Sequence, residues 1–333
     1  MRICIIGAGA IGGMLGARLA LAGETVTFIE KNPAHAYAMR TQGLRIEADG
    51  DAVTAKVFAV TDDLAAPGVQ DLVVIAVKAH QIPSLVPDIR QLFGPKTIVM
   101  TVQNGVPWWY FFKHGGPLDG RRIAAVDPTG AIDDTIERER IVGCIVYPAG
   151  EVTAPGVIHV VEGNRFSVGE LDGSHSERVE ALAAMLIKAG FKSYVLDDIR
   201  GEIWLKLWGN LSFNPISALT HQTLAGICRN PYTRELAASM MREAQQIGEK
   251  LGITFRHTIE KRIAGAEGVG EHKTSMLQDI EAGRAPEIEA LVGAVVELGR
   301  LTETPIPHIE SVYSAVKGLE ETLSRTAAVP VTA

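Results

Sequence analysis

A lysine and two carboxamides recur at helical spacing in the second half of this 333-residue chain. Lys206, Asn210 and Asn214 stand four residues apart in the run Trp204-Leu205-Lys206-Leu207-Trp208-Gly209-Asn210-Leu211-Ser212-Phe213-Asn214-Pro215. Side chains at i and i+4 share one helix face, so an ammonium and two amides line up amid Trp, Leu and Phe. A lysine in apolar surroundings shifts its proton affinity readily and can act as acid or base near neutrality. The competing explanation is a solvent-facing stripe in which Lys206 pairs with Glu202 one turn back. Two aligned asparagines weigh against it, because Asn is a poor helix former and needs a reason to be there.

A second polar cluster follows, Thr274-Ser275-Met276-Leu277-Gln278-Asp279 and then Gly283-Arg284-Ala285-Pro286-Glu287-Ile288. Gly283 reads as a helix end and Pro286 as a helix start. Glu287 then falls in the first helical turn, where the helix dipole favours a carboxylate. That plain placement competes evenly with a role in chemistry.

The other candidate site is made of backbone. Gly7-Ala8-Gly9-Ala10-Ile11-Gly12 matches G-x-G-x-x-G, and it directly follows an apolar β-type run and opens a helical pattern. Gly7 permits a tight turn, Gly9 lets the main chain approach a pyrophosphate, and Gly12 lets the helix pack closely on a sheet. The helix N-terminus then offers N–H groups and positive dipole to phosphates. About twenty residues on, a second strand pattern ends at Glu30, where an acid would bond ribose hydroxyls and repel a 2′-phosphate. Lys31 follows at once and could pair with that same phosphate, so both cofactor signals are present. Two more strand ends, Val77-Lys78 and Val102-Gln103-Asn104-Gly105, point to the same edge of an open sheet. Lys78 could reach phosphate or ribose, and Asn104 the nicotinamide end or a substrate.

These residues need a scaffold, and its outline is readable. Arg2–Ile6, Thr25–Glu30, Leu72–Val77 and Thr97–Val102 read as strands, and Ile11–Ala22 as a helix between the first two. Such alternation implies βαβ units and a helix-covered parallel sheet. From about Arg122 to Glu170 the texture changes to short strands at Ile141–Tyr147, Gly156–Val161 and Arg165–Val168, with antiparallel pairing expected. A helix at Glu177–Ala189 and a last strand at Lys192–Leu196 follow. Beyond Asp197 the patterns are helical, at Ile199–Phe213, Pro231–Leu251, Ile259–Ala266, Pro286–Leu301 and Pro307–Thr322. The expected fold class is α/β: an N-terminal Rossmann-type parallel-sheet domain over 1–198, then an all-helical substrate and catalytic domain over 199–325. The small, polar end from Ser324 onward is expected to fray, with 326–333 a flexible tail.

Composition narrows the field. The net charge is -7 without a basic stripe, which argues against nucleic acid. Hydrophobic residues make up 47% of the chain, yet no run approaches the roughly 18 needed for a membrane span. The three cysteines, Cys4, Cys144 and Cys228, are far apart in apolar surroundings, as expected of thiols in a reducing compartment. A cytoplasmic location is the expectation. No Cys or His pair has zinc-like spacing, so no metal is expected. Apolar C-terminal helices suit a homodimer and equally a monomer's core.

Taken together, the Gly7–Gly12 fingerprint, Lys78, the Gln103-Asn104-Gly105 turn, the Lys206…Asn210…Asn214-Pro215 run and the Thr274–Asp279…Gly283-Arg284…Glu287-Ile288 run resemble the ketopantoate reductases. The resemblance covers nearly the whole chain, and the last two runs are its most specific part. It implies an NADPH-dependent reduction of a 2-oxo acid, 2-dehydropantoate, in pantothenate and coenzyme A synthesis, at a cleft between a Rossmann and a helical domain. By the same resemblance Lys206 is the catalytic lysine and Glu287 the catalytic-site glutamate. Asn210, Asn214, Asn104 and Ser275 match substrate contacts. Gly7, Ala8, Gly9, Ala10, Ile11, Gly12, Glu30, Lys31, Lys78 and Asn104 fall at the cofactor. Two departures stand out. Glu30 beside Lys31 leaves NAD as an alternative to NADP. The aromatic run Pro107-Trp108-Trp109-Tyr110-Phe111-Phe112 leaves open a bulkier or aromatic 2-oxo acid, although core packing or a subunit contact explains it better. A non-catalytic dinucleotide sensor is the alternative from another class, but it would need neither Lys206 nor Glu287.

Overall fold

The structure is a computed structural model and describes residues 1–328. It divides into two compact units, the first made of Met1–Asn104, Trp108–Arg122 and Thr129–Ile199. The second takes the chain from Arg200 on, plus two short stretches of the first half, Gly105–Pro107 and Ile123–Pro128.

The first unit opens with β1 (Arg2–Ile6), α1 (Ala10–Leu21), β2 (Thr25–Ile29) and α2 (Pro33–Gln42). Next come β3 (Leu44–Ala48), β4 (Asp51–Ala55), β5 (Ala59–Thr61), β6 (Gln70–Ile75) and β7 (Phe93–Thr101). It closes with α3 (Ala131–Thr135), β8 (Ile141–Val146), β9 (Ala149–Ala154), β10 (Val157–Glu162), β11 (Phe166–Gly169) and α4 (Glu177–Lys188). Seven strands form the main sheet in the order β11-β8-β7-β6-β1-β2-β5. All neighbours in it are parallel except the β11–β8 pair. Strands buried on both faces read as unbroken apolar runs, and β1 and β6 show this: Ile3, Cys4, Ile5, Leu72, Val73, Val74 and Ile75 have no exposure. The chain leaves β1 toward β2 on one side and later returns through β6 on the other. The switch point of the strand order therefore lies at the carboxyl end of β1.

A second sheet, in the order β4-β3-β10-β9, is the main feature the sequence reading lacks. It packs on α1: a Cβ added at Gly13 would overlap the Ile158 side chain and stand 3.4 Å from Leu44 Cδ2. Its edge strands β4 and β9 are largely exposed, so they carry no apolar run to announce them. The expected antiparallel block from Arg122 to Glu170 is accordingly mixed. β11 pairs antiparallel with β8 and β10 with β9, whereas β8 pairs parallel with β7 and β10 with β3. The expected last strand at Lys192–Leu196 is not a strand. It makes isolated bridges, Lys192 to Arg165 and Val195 to Val168, beside the short β11.

The second unit is helical: α5 (Ile199–Thr220), α6 (Leu224–Arg229), α7 (Pro231–Lys250), α8 (Ile259–Val269), α9 (Ser275–Glu281), α10 (Ala294–Leu301) and α11 (Pro307–Ala328). Side chains of Thr223, Asn230, Thr258 and Thr274 accept the first-turn N–H groups of α6 to α9, which explains where those helices begin. α5 runs seven residues past the expected Phe213 and through Pro215. Ile216 and Ala218 beyond the proline are buried, and that packing outweighs the lost N–H. The helix expected to open at Pro286 instead begins at Ile288 and winds as a π-helix over Glu289–Gly293 before continuing as α10. α11 continues past Ser324 to Ala328, and the last five residues of the expected tail, 329–333, lie outside the described residues.

Candidate functional site

The glycine loop connects β1 to α1 at the switch point. Gly7 has φ +100°, a left-handed value that favours glycine, and its N–H donates to the Ile29 carbonyl of β2 at 2.9 Å. A Cβ there would stand 3.0 Å from Val77, beyond the end of β6. Gly12 faces inward: a Cβ would overlap the Gly7 carbonyl oxygen and lie 2.8 Å from Ala76. Gly9 faces the other way. It is exposed, a Cβ there would meet no atom within 4 Å, and it starts α1 without any side chain capping the helix. An uncapped helix N-terminus behind an open glycine is a cradle for an anion.

Four neighbouring strand ends are tied in two pairs, β2 to the loop after β1 and β7 to β6, by side chains that bond main chain. Glu30, just past β2, accepts the Ala8 N–H at 2.9 Å and the Asn32 N–H at 2.7 Å, one on each carboxylate oxygen. Lys31 beside it is exposed. Lys78 is half-buried, and its N–H donates to Gln81 Oε1 at 3.0 Å as a 3-10 turn begins. Gln103 donates through Nε2 to the carbonyls of Ile75 at 2.6 Å and Val77 at 2.9 Å, binding the end of β7 to the end of β6. Asn104, half-buried, is the next residue. The loop Gly7–Gly12, Glu30, Lys78 and Asn104 are thus gathered at one edge of the first unit. The bridging role of Gln103 is not announced by its place in the Gln103-Asn104-Gly105 turn.

In the second unit α5 carries Lys206 and Asn210, both half-buried, and Asn214, which is buried. Helical register puts the three on one face. Fully buried Trp204 and Trp208 anchor the helix, and Trp208 Nε1 donates to the Met241 carbonyl of α7 at 2.7 Å. Ser275 is the exposed first residue of α9. Glu287, half-buried, immediately precedes the helical stretch that opens at Ile288. The expectation of a first-turn position there is corrected by one residue, and the carboxylate still lies at a helix N-terminus.

The π-turn after Glu287 has partners of its own. The Ala290 carbonyl accepts the Val106 N–H at 2.8 Å. Gly105, φ +90°, comes so close that a Cβ would stand 2.5 Å from the Ala290 carbonyl carbon. Glu289 accepts Tyr313 Oη at 3.0 Å and holds Lys317 Nζ at 3.0 Å. Burial would lower the Lys317 ammonium, but its bonds to Glu320 and Glu289 outweigh that and hold it above the usual lysine range. Burial and the bond to Glu289 both push the Tyr313 phenol up. A single π-turn is a common device near functional residues, and nothing in the Pro286–Leu301 pattern announces it.

The aromatic run lies in the core. Trp108, Trp109, Tyr110 and Phe111 are at most 4% exposed and Phe112 is half-buried, Trp109 Nε1 donates to Thr101 Oγ1 at 3.1 Å, and the Tyr110 and Phe111 rings meet edge-on. Among the described residues no group of His, Cys, Asp and Glu is placed to hold a metal ion. No described helix is long and apolar enough to cross a membrane.

Family profiles match both units. The profile described as Ketopantoate reductase PanE/ApbA matches residues 3–173, and its C-terminal counterpart matches residues 198–320. The chain belongs to the ketopantoate reductase family. It is an oxidoreductase of the type acting on CH–OH groups. It is 55% identical to the 2-dehydropantoate 2-reductase of Mesorhizobium japonicum, over 96% of this chain and 98% of that one. A solved structure assigned as a ketopantoate reductase from Ralstonia solanacearum superposes with TM-score 0.90 at 40% identity, covering 98% of each chain. A D-mandelate dehydrogenase solved with NADH and anilino(oxo)acetate shares the fold, with TM-score 0.82 at 22% identity over 97% of this chain and all of that one.

Proposed function

We propose that this chain is a 2-dehydropantoate 2-reductase, reducing the ketone of 2-dehydropantoate to the hydroxyl of pantoate for pantothenate and coenzyme A synthesis. The observation that carries this is the 55% identity, over nearly the full length of both chains, to a relative named for that reaction. The first unit fits a nicotinamide dinucleotide: Gly9 is open, α1 is uncapped, and the Gly7 turn brings main chain to the switch point. When bound, the reduced cofactor supplies the hydride equivalent that reduces the carbonyl carbon.

The chain's own residues do the rest. The Gly7–Gly12 backbone holds the pyrophosphate, with Lys78 and Asn104 as further cofactor contacts. Lys206 stabilises the negative charge that builds on the carbonyl oxygen and donates its proton there. Glu287 orients Lys206 or the substrate hydroxyl. Asn210, Asn214, Ser275 and Asn104 hold the substrate carboxylate and hydroxyl. NADP is the form the family reading favours, with exposed Lys31 as partner for the 2′-phosphate. A specific observation supports NAD as the second reading: the Glu30 carboxylate is pinned by two backbone N–H groups where the ribose is expected. The aromatic run, packed in the core, removes the reason to prefer a bulkier acyl group. The proposal includes a cytoplasmic setting and is compatible with a homodimer.

Initial rates over a panel of 2-oxo acids, each with NADPH and NADH, test this. We expect 2-dehydropantoate with NADPH to give the highest kcat/KM. An aromatic 2-oxo acid that outruns it overturns the substrate assignment, and absence of turnover with every acid favours the sensor.

A further inference from the structure

The central peptides of the glycine loop are gripped from both sides. The Ala8 N–H donates to Glu30 Oε2 at 2.9 Å, and the Ala8 carbonyl bonds His35 Nε2 at 3.0 Å. His35 lies in the first turn of α2 and is buried. Its other ring nitrogen, Nδ1, meets the Gly156 N–H at 2.9 Å, in the turn joining β9 to β10 of the second sheet. The partners decide the state of the ring. A carbonyl accepts and an amide N–H donates, so Nε2 carries the hydrogen and Nδ1 offers its lone pair. One neutral imidazole thus bridges the four-stranded sheet to the loop. The G-x-G-x-x-G pattern does not call for such a residue.

The consequence follows from peptide planarity. The Ala8 carbonyl and the Gly9 N–H belong to one rigid plane and point in opposite directions. Fixing the carbonyl on His35 therefore aims the Gly9 N–H away from the ring. Gly9 is exposed, with nothing near the position a side chain would take. We propose that His35 is a positioning residue for dinucleotide binding: by holding the Ala8 carbonyl it aims the Gly9 N–H at the cofactor pyrophosphate. This rests on the cofactor reading given above. Pre-aimed donors spare the ligand the cost of ordering the loop, so the effect belongs in cofactor affinity, not in the chemical step.

Two variants of the full chain separate positioning from packing. Gln places an N–H₂ at about the reach of Nε2, so His35→Gln keeps a donor for Ala8. Asn places its amide at about the reach of Nδ1, so His35→Asn keeps a partner for Gly156 and loses the grip on Ala8. Fluorescence titration with NADPH and NADH is expected to show His35→Asn binding about tenfold more weakly and His35→Gln within roughly threefold of wild type. At saturating cofactor, kcat of both variants should stay within about twofold of wild type. Equal retention of affinity in both variants, with a lowered Tm, would mean His35 only packs and overturns the proposal. Equal loss in both overturns it as well, because the donor would not be what matters. Wild-type protein that binds neither dinucleotide sinks the cofactor reading itself, a result distinct from either of those.

Discussion

The glycine loop of the first unit and helix α5 of the second solve opposite problems. At the loop the main chain faces the proposed ligand, and side chains serve it: Glu30, His35 and Gln103 all spend their hydrogen bonds on backbone atoms. On α5 the side chains Lys206, Asn210 and Asn214 are the proposed substrate contacts, and the framework serves them. Fully buried Trp204 and Trp208 fix the rotation of that helix, with the Trp208 indole bonded to Met241. The loop depends on shape and on the absence of side chains. The helix depends on the identity of a few. Substitutions in the two regions should therefore fail differently.

The sharpest way to break the comparison is Lys206→Ala. Removal of the proton donor should lower kcat by about 10²–10⁴-fold while leaving the NADPH dissociation constant near wild type. Unchanged turnover in a steady-state assay would remove Lys206 from the chemistry. Gly9→Val should show the converse. A Cβ there would meet no protein atom within 4 Å, so the Tm should barely move, while the valine blocks approach of the pyrophosphate and weakens cofactor binding by roughly a hundredfold or more. Retained affinity by calorimetric titration would argue that the loop does not touch phosphate. The smallest expected effect is Glu30→Ala. Loss of the carboxylate should loosen the loop for both cofactors, yet shift the NADPH to NADH ratio of kcat/KM toward NADPH by roughly tenfold or less. A constant ratio would leave Glu30 as a loop anchor without a part in cofactor choice.

Much of the first unit is legible in the chain. β1, α1 and β2 appear within a residue of the expected places, β6 lies two residues early and β7 begins four residues early. The strands show because buried parallel strands need continuous apolar runs and those runs are local. The second sheet is not legible. β3, β4 and β9 are short, partly exposed and polar in places, and the β3–β4 and β9–β10 pairs join into one sheet only through β3 and β10, which lie more than a hundred residues apart. The same reason hides His35: its partners Ala8 and Gly156 are distant in sequence, and an isolated histidine early in a helix carries no pattern. The π-turn is invisible for a related reason. Its residues read as ordinary helix, and the bond from Val106 to Ala290 spans more than half of the chain.

The sequence by itself determined the strands β1, β2, β6 and β7, the glycine turn with its strand-to-helix context, and the helical spacing that lines up Lys206, Asn210 and Asn214. Each of these depends on neighbours within a few turns, and residue type and periodicity encode them directly. Tertiary structure alone decided what holds the glycine loop, that the second sheet forms, that most of the aromatic run packs inside, and that a π-turn follows Glu287. Those outcomes depend on which distant backbone groups meet one another. Every residue carries the same main-chain donor and acceptor, so the choice among them is set by the folded geometry.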